Sequence, residues 1–167
     1  MLELRELTVD DWTIWRELRL AALAEAPYAF GSTLADWQGD GDREERWRGR
    51  LALPGSYNLV AVLDDQPVGM VSGIPVDGAD GIAELISMWV SPAGRGRGVG
   101  VRLVEAVADW ARRRGARVLR LAVMSDNAAA IALYERAGFR HDALLGSSPP
   151  NSAKREVIMT MPLSPSI

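Results

Sequence analysis

The residue types that could do chemistry concentrate in one stretch, VSPAGRGRGVG, at 90–100. Glycines there alternate at 94, 96, 98 and 100 around Arg95 and Arg97. Absent side chains let a ligand approach the main chain closely, and the first N–H groups of a helix have no internal partner. Where a helix opens from such a stretch, those donors, the positive helix end and two arginines make a diphosphate cradle. A flexible loop is the alternative reading of a glycine-rich junction by itself. Two phosphate loops are excluded. A P-loop needs GxxxxGK[ST], and the sole lysine is Lys154. The dinucleotide fingerprint G-x-G-x-x-G fails because Val101 ends the reading from Gly96, and Val99 the reading from Gly94.

The elements that must position this stretch follow from periodicity. Leu2 to Leu7 reads as a strand, and Thr8 as a helix cap with Asp10 and Asp11 in the first turn. Trp12, Trp15, Leu18, Leu20 and Leu23 give a helical stripe to about Ala24, and a second helical region ends near Ala52. Tyr57 to Leu63 and Pro67 to Pro75 are strands joined by a turn at Asp64-Asp65-Gln66. A further turn spans Asp77 to Gly81, and Ile82 to Val90 is the third consecutive strand. Beyond Pro92 the period changes: Val99, Leu103, Val107, Trp110 and Ala111 mark an amphipathic helix closed at Gly115. Val118 to Val123 is a strand, Asn127 to Ala137 a short helix ended by Gly138, and 139–145 with 155–162 a last strand pair. The passage from 82 to 123 needs a crossover, and so a parallel pair within an otherwise antiparallel sheet. The expected class is α+β.

Composition bounds the rest. A chain of 167 residues, 48% hydrophobic, suits one domain, 1–167. No apolar run reaches the roughly 18 residues of a membrane span. The N-terminus, MLELRELTVDDW, lacks the basic-then-apolar order of a secretion signal. With no cysteine and one histidine, His141, thiolate and histidine-rich metal sites are excluded, so no metal is expected. The expected location is the cytoplasm, with no membrane partner. Net charge is −3, but residues 1–91 balance at −9 and 92–167 at +6. Arg112, Arg113 and Arg114 complement a helix C-terminus, whereas Arg95 and Arg97 precede that helix and face a different duty. The short basic segment of an acidic chain argues against a nucleic-acid partner.

The loop also reads as R/Q-x-x-G-x-G/A, through Arg95-Gly96-Arg97-Gly98-Val99-Gly100. Downstream, SDNAAAIALYERAGF (125–139) reads as N-x-x-A-x-x-L-Y-x-x-x-G-F, and upstream AELISMWVSP looks like the strand feeding a cofactor loop. On these residues the chain resembles the GNAT superfamily of N-acyltransferases, closely over 82–140 and in element order elsewhere. The resemblance implies a GNAT-like α+β fold: a mixed, mostly antiparallel sheet of six to seven strands, splayed between 82–90 and 117–123, with about four helices. It implies acetyl transfer from acetyl-CoA to the primary amine of a small molecule by direct attack. A peptide or protein amine, or a non-catalytic acyl-CoA-binding sensor, are the alternatives.

By the same resemblance, backbone groups of Met88, Trp89 and Val90 hold the pantetheine arm, and one N–H polarises the thioester carbonyl. The N–H groups of Arg95, Gly96, Arg97, Gly98, Val99, Gly100 and Val101 take the pyrophosphate. Tyr134 matches the family's tyrosine acid for the departing thiolate, although Ala130, Ile131 and Tyr134 also share a helix face suited to a core. Asn127 matches a cofactor-contacting asparagine and is equally an N-cap for its own helix. Glu84 is the candidate base, directly or through water. Its alternative is a solvated strand acid. Tyr28, Phe30, Trp37 and segment 146–154 are candidates for shaping the acceptor site. The acidic N-terminal half suits a cationic amine, while tryptophans such as Trp12 and Trp15 suit the core. Homodimerisation, common in such folds, is compatible with the resemblance.

Overall fold

Alternating apolar residues make the strands, and a sheet twisted around two helix layers buries them. The computed structural model describes residues 1–25, 34–76, 81–141 and 156–163. In chain order the elements are β1 (Leu2–Glu6), α1 (Trp12–Glu25), α2 (Glu44–Leu51), β2 (Tyr57–Leu63), β3 (Gln66–Pro75) and β4 (Ile82–Val90). There follow α3 (Val99–Arg113), β5 (Val118–Met124), α4 (Ala128–Ala137), β6 (Arg140–His141) and β7 (Glu156–Pro162). The sheet order is β1-β2-β3-β4-β5-β7-β6, antiparallel except for β4 and β5. Seven strands in a mixed sheet flanked by four helices match the expected class.

Local departures have local causes. Thr8 caps a short 3₁₀ turn, Val9–Asp11, ahead of α1, and its N–H donates to Asp11 Oδ2 at 2.8 Å. Two further 3₁₀ turns, Ala35–Trp37 and Gly39–Gly41, precede α2. The β2–β3 turn is Asp64-Asp65 alone, both at positive φ, and Gln66 already pairs with Leu63. Aspartate tolerates that conformation better than most residues. Pro67, with no N–H to donate, sits where the β2–β3 register shifts at Ala61/Val62. The predicted turn at 77–81 lies outside the described residues except for Gly81. The predicted strand pair at 139–145 and 155–162 is seen as β6 and β7, with 142–155 outside the description.

Two cores flank the sheet. Beneath α1 and α2, Trp15 and Trp47 are fully buried with Val60, Val62, Met70 and Trp89. On the other side α3 lays Val99, Leu103, Val104 and Val107 against β3 and β4, joined by Tyr134 and Phe139 from the end of α4. Burying each such Leu or Val contributes about 1.5–3 kcal/mol. α3 lies close because β3 offers glycine beneath it. A Cβ at Gly73 would stand 2.5 Å from the Trp110 ring, which itself stacks on Tyr57 at 5.6 Å.

The feature that positions the site is a bulge. Between the pairs Met70↔Trp89 and Ser72↔Ile86, β3 spends one residue and β4 two, and Ser87 takes φ 55°. The extra residue resets the alternation of β4. Ala83 and Leu85 belong to the α3 core; beyond the bulge Met88 and Val90 pack against that core and Trp89 turns to the α1 side. Parallel pairing stops just before it, after Ile82↔Val118, Ala83↔Leu119 and Glu84↔Arg120. β4 then continues with β3 and β5 with β7, so the sheet splays between them.

Candidate active site

The loop that leaves β4 uses its four glycines in two ways. Gly96 and Gly98 adopt φ 75° and 77°, a left-handed conformation costly for other residues, and a Cβ on either would meet nothing within 4 Å. They shape an open concavity. Gly94 and Gly100 serve packing instead. A Cβ at Gly94 would press on Val68 at 3.0 Å, and one at Gly100 on Leu133 of α4 at 2.8 Å. Gly98 is the N-cap of α3, and the first helical bond runs from Arg102 N–H to Gly98 O at 3.2 Å. The N–H groups before Arg102 therefore have no carbonyl within the helix and present a partial positive charge.

That helix end faces a cavity of about 660 Å³ between the C-terminal half of β4, the loop and α4. The size and the concave, pre-formed shape are those of a small-molecule site. Met88, Trp89, Val90, Arg95, Gly96, Gly98, Val99, Gly100, Val101, Asn127 and Tyr134 all line it. Arg97 does not. The Asp64 carboxyl at the β2–β3 turn is lowered chiefly by its hydrogen bond and ion pair with the Met1 ammonium, and only least by the charge of Arg97. Arg95 is tethered, donating through Nε to the Val90 carbonyl at 3.1 Å and pairing with Glu25 at the end of α1.

Tyr134 is 6% exposed and meets Phe139 edge-on, with ring centres 5.8 Å apart. Burial pushes its phenol well above the usual tyrosine range, so it is protonated at neutral pH. Asn127 is the N-cap of α4, its Oδ1 accepting from Ala130 N–H at 3.3 Å, and the residue also lines the cavity. Glu84 is outside the cavity. It precedes the bulge, on the sheet face opposite Ala83 and Leu85, paired with Arg120 at 3.3 Å.

The Acetyltransferase (GNAT) family model matches residues 5–139. The chain belongs to the GNAT family. This GNAT chain is 32% identical over 149 residues to the mycothiol acetyltransferase of Renibacterium salmoninarum, covering 85% of its own length and 42% of that protein. It is 38% identical over 84 residues to the ribosomal protein bS18 alanine N-acetyltransferase of Escherichia coli, covering 49% and 57%. The chain thus spans 42% and 57% of the length of these two curated relatives. In structure it is similar to yncA of Salmonella typhimurium, solved with its cofactor acetyl-CoA, with TM-score 0.78 and 24% identity over 100% of this chain and 96% of that one. A GCN5-related N-acetyltransferase from Kribbella flavida gives TM-score 0.76 at 26% identity, covering 97% and 98%.

The GNAT cavity also contains residues that sequence reasoning missed: Glu25, Leu133 and Arg136. Leu133 and Arg136 stand three apart on α4, so helical spacing from Tyr134 and Ala130 could have found them. Nothing local could have found Glu25, 70 residues from its partner Arg95. Of the acceptor candidates, Trp37 packs on Trp47 with ring centres 4.4 Å apart, while Tyr28, Phe30 and 146–154 lie outside the described residues. Among the described residues no helix is long and apolar enough to cross a membrane.

Proposed function

We propose that the protein transfers an acetyl group from acetyl-CoA to the primary amine of a small molecule by direct attack. The observation that carries this reading is the splay itself: a helix end with free N–H groups and a buried phenol share one cavity beside the stretch of β4 that β5 no longer pairs. The N–H groups of 95–101 take the pyrophosphate, and the backbone of Met88, Trp89 and Val90 takes the pantetheine arm. An N–H of that strand faces the thioester oxygen, where negative charge grows during attack. Arg95 sets the loop against α1 through Glu25.

The attacking amine must be neutral, yet an alkylammonium with pKa near 10 is almost wholly protonated at neutral pH. Glu84 takes that proton through water, from the far side of the splay. The new C–N bond forms and the C–S bond breaks; Tyr134 gives its proton to the departing thiolate, and the proton that the acylated nitrogen sheds returns through water to the phenolate. A peptide amine is the second reading, favoured by the similarity to the ribosomal protein alanine N-acetyltransferase. Thiol release from acetyl-CoA across amines, polyamines, aminoglycosides, amino acids and peptides tests the proposal. Turnover with a small amine is expected. Turnover confined to peptides would replace it with the second reading, and binding without turnover on any acceptor would leave a sensor.

A further inference from the structure

On the opposite face of β4 from α3, one arginine is held in a way that none of the surface arginines is. Arg50, near the end of α2, donates to Asn58 Oδ1 at 3.2 Å, Ser72 Oγ at 3.0 Å and Ser87 Oγ at 3.0 Å. These partners come from β2, β3 and the β4 bulge, so three strands fix the guanidinium. They are themselves well bound: Ser72 donates to Asn58 Oδ1 at 2.6 Å, and Asn58 Nδ2 donates to Leu51 O at 3.3 Å. Every one of these partners is neutral. Arg16, Arg48, Arg95 and Arg120, by contrast, each pair with a carboxylate.

A partly buried cation without a counter-ion is costly. Here burial, and next the charge of Arg19, pull the Arg50 pKa down to about 10, which still leaves it charged at neutral pH. Three hydrogen bonds leave two of the five guanidinium N–H donors for another acceptor. The surroundings are also rich in donors. The buried indole Nε1 groups of Trp15 and Trp89 have no acceptor among the described residues. Arg50 keeps part of its surface exposed. Its location is equally pointed: Ser87 directly precedes Met88, which lines the cavity, and Glu84 lies three residues upstream.

We propose that Arg50 binds the carboxylate of the acceptor, so that the substrate is a free amino acid or a close analogue with its amine beside its acid group. This rests on the acetyltransferase reading and narrows its acceptor class. A carboxylate on Arg50 supplies the counter-ion that Arg50 lacks among the described residues and places the neighbouring amine along β4, between the bulge and Glu84. A peptide N-terminus has no carboxylate at that distance and leaves Arg50 unneutralised.

The test compares acceptors matched except for the carboxylate: alanine, alaninamide and ethylamine, then the other amino acids with their amides, by thiol release from acetyl-CoA. For the best amino acid, wild-type kcat/KM is expected to exceed that of its amide at least tenfold. R50M is expected to lower that value at least tenfold, chiefly through KM, with R50K restoring part of it and acetyl-CoA affinity unchanged. Amides or peptides used as well as free acids would overturn the carboxylate assignment and leave the acetyltransferase reading standing. If no amine releases thiol, the acetyltransferase reading falls and binding decides this one. The Trp15 ring centre is 5.0 Å from Arg50 Cζ, so tryptophan fluorescence should respond to an amino acid and not to its amide. An equal response, or none, would overturn the assignment. Should R50M fail to fold, the acid-to-amide ratio of the wild type decides.

Discussion

The two faces of β4 solve the same problem, holding a charged ligand, with different materials. Toward α3 and α4 the site is made of main chain: left-handed glycines, a helix end and a bulged strand, with Arg95 tethered at the rim. Toward α1 and α2 it is made of side chains, with Arg50, Glu84 and Arg120 held by partners from four other elements. A main-chain site is fixed by the backbone path and tolerates varied side chains around it. A side-chain site is set residue by residue, so it is where relatives sharing the first face can differ in acceptor.

Breaking the main-chain face should have the largest effect. Gly98→Glu places a side chain at φ 77° and a negative charge against the anion cradle. Calorimetry should show acetyl-CoA binding lost, and retained affinity would contradict the loop assignment. Tyr134→Phe comes next. It keeps the edge contact with Phe139 and removes only the hydroxyl, so turnover should fall tenfold or more while acetyl-CoA affinity stays. Unchanged turnover would take Tyr134 out of the acid role.

The other face should respond more mildly at each residue. Glu84→Gln should lower kcat/KM about tenfold, less than the roughly hundredfold or more of a base in direct contact because it acts through water, most clearly below the amine pKa. A flat response across pH would leave Glu84 as a structural partner of Arg120. Gly73→Ala probes how tightly α3 is pressed on the sheet. With the Trp110 ring 2.5 Å from the new Cβ, a loss of about 1–3 kcal/mol is expected, read as a lower Tm.

The smallest effect concerns how α1 is clasped. The hydrogen bond from Arg16, then that from Trp47, holds the Asp42 carboxyl at about 2, against an ordinary 3.8. Its folded pKa is the lower one, so the unfolded chain binds more protons as pH falls. The stabilisation is therefore complete above 3.8 and lost as pH drops through about 2. Asp42→Asn should lower Tm slightly at neutral pH, and the gap to wild type should close on acidification through that window. A gap that widened would contradict the clasp.

The same contrast explains what the sequence reveals. The strands, α3, α4 and the glycine loop announce themselves through short-range patterns, so β2, β4 and the Gly138 cap fall where periodicity and turn residues put them. The bulge is not legible, because serine at φ 55° carries no turn signal, yet it decides which β4 residues reach the cavity. Arg97 is equivalent to Arg95 by spacing, but only Arg95 lines the cavity. Arg50 reads as one of three arginines on a charged helix, and only the fold shows that it points inward to Ser72 and Ser87. Contacts spanning 22 to 37 residues leave no trace in local pattern.

The most direct test of the account is hydrogen–deuterium exchange of the amides with and without acetyl-CoA. Protection is expected at Met88–Val90 and across 95–101, with β1 and β2 unchanged. Exchange at 95–101 that ignores saturating acetyl-CoA, or protection centred elsewhere in the fold, would contradict a cofactor site in the splay.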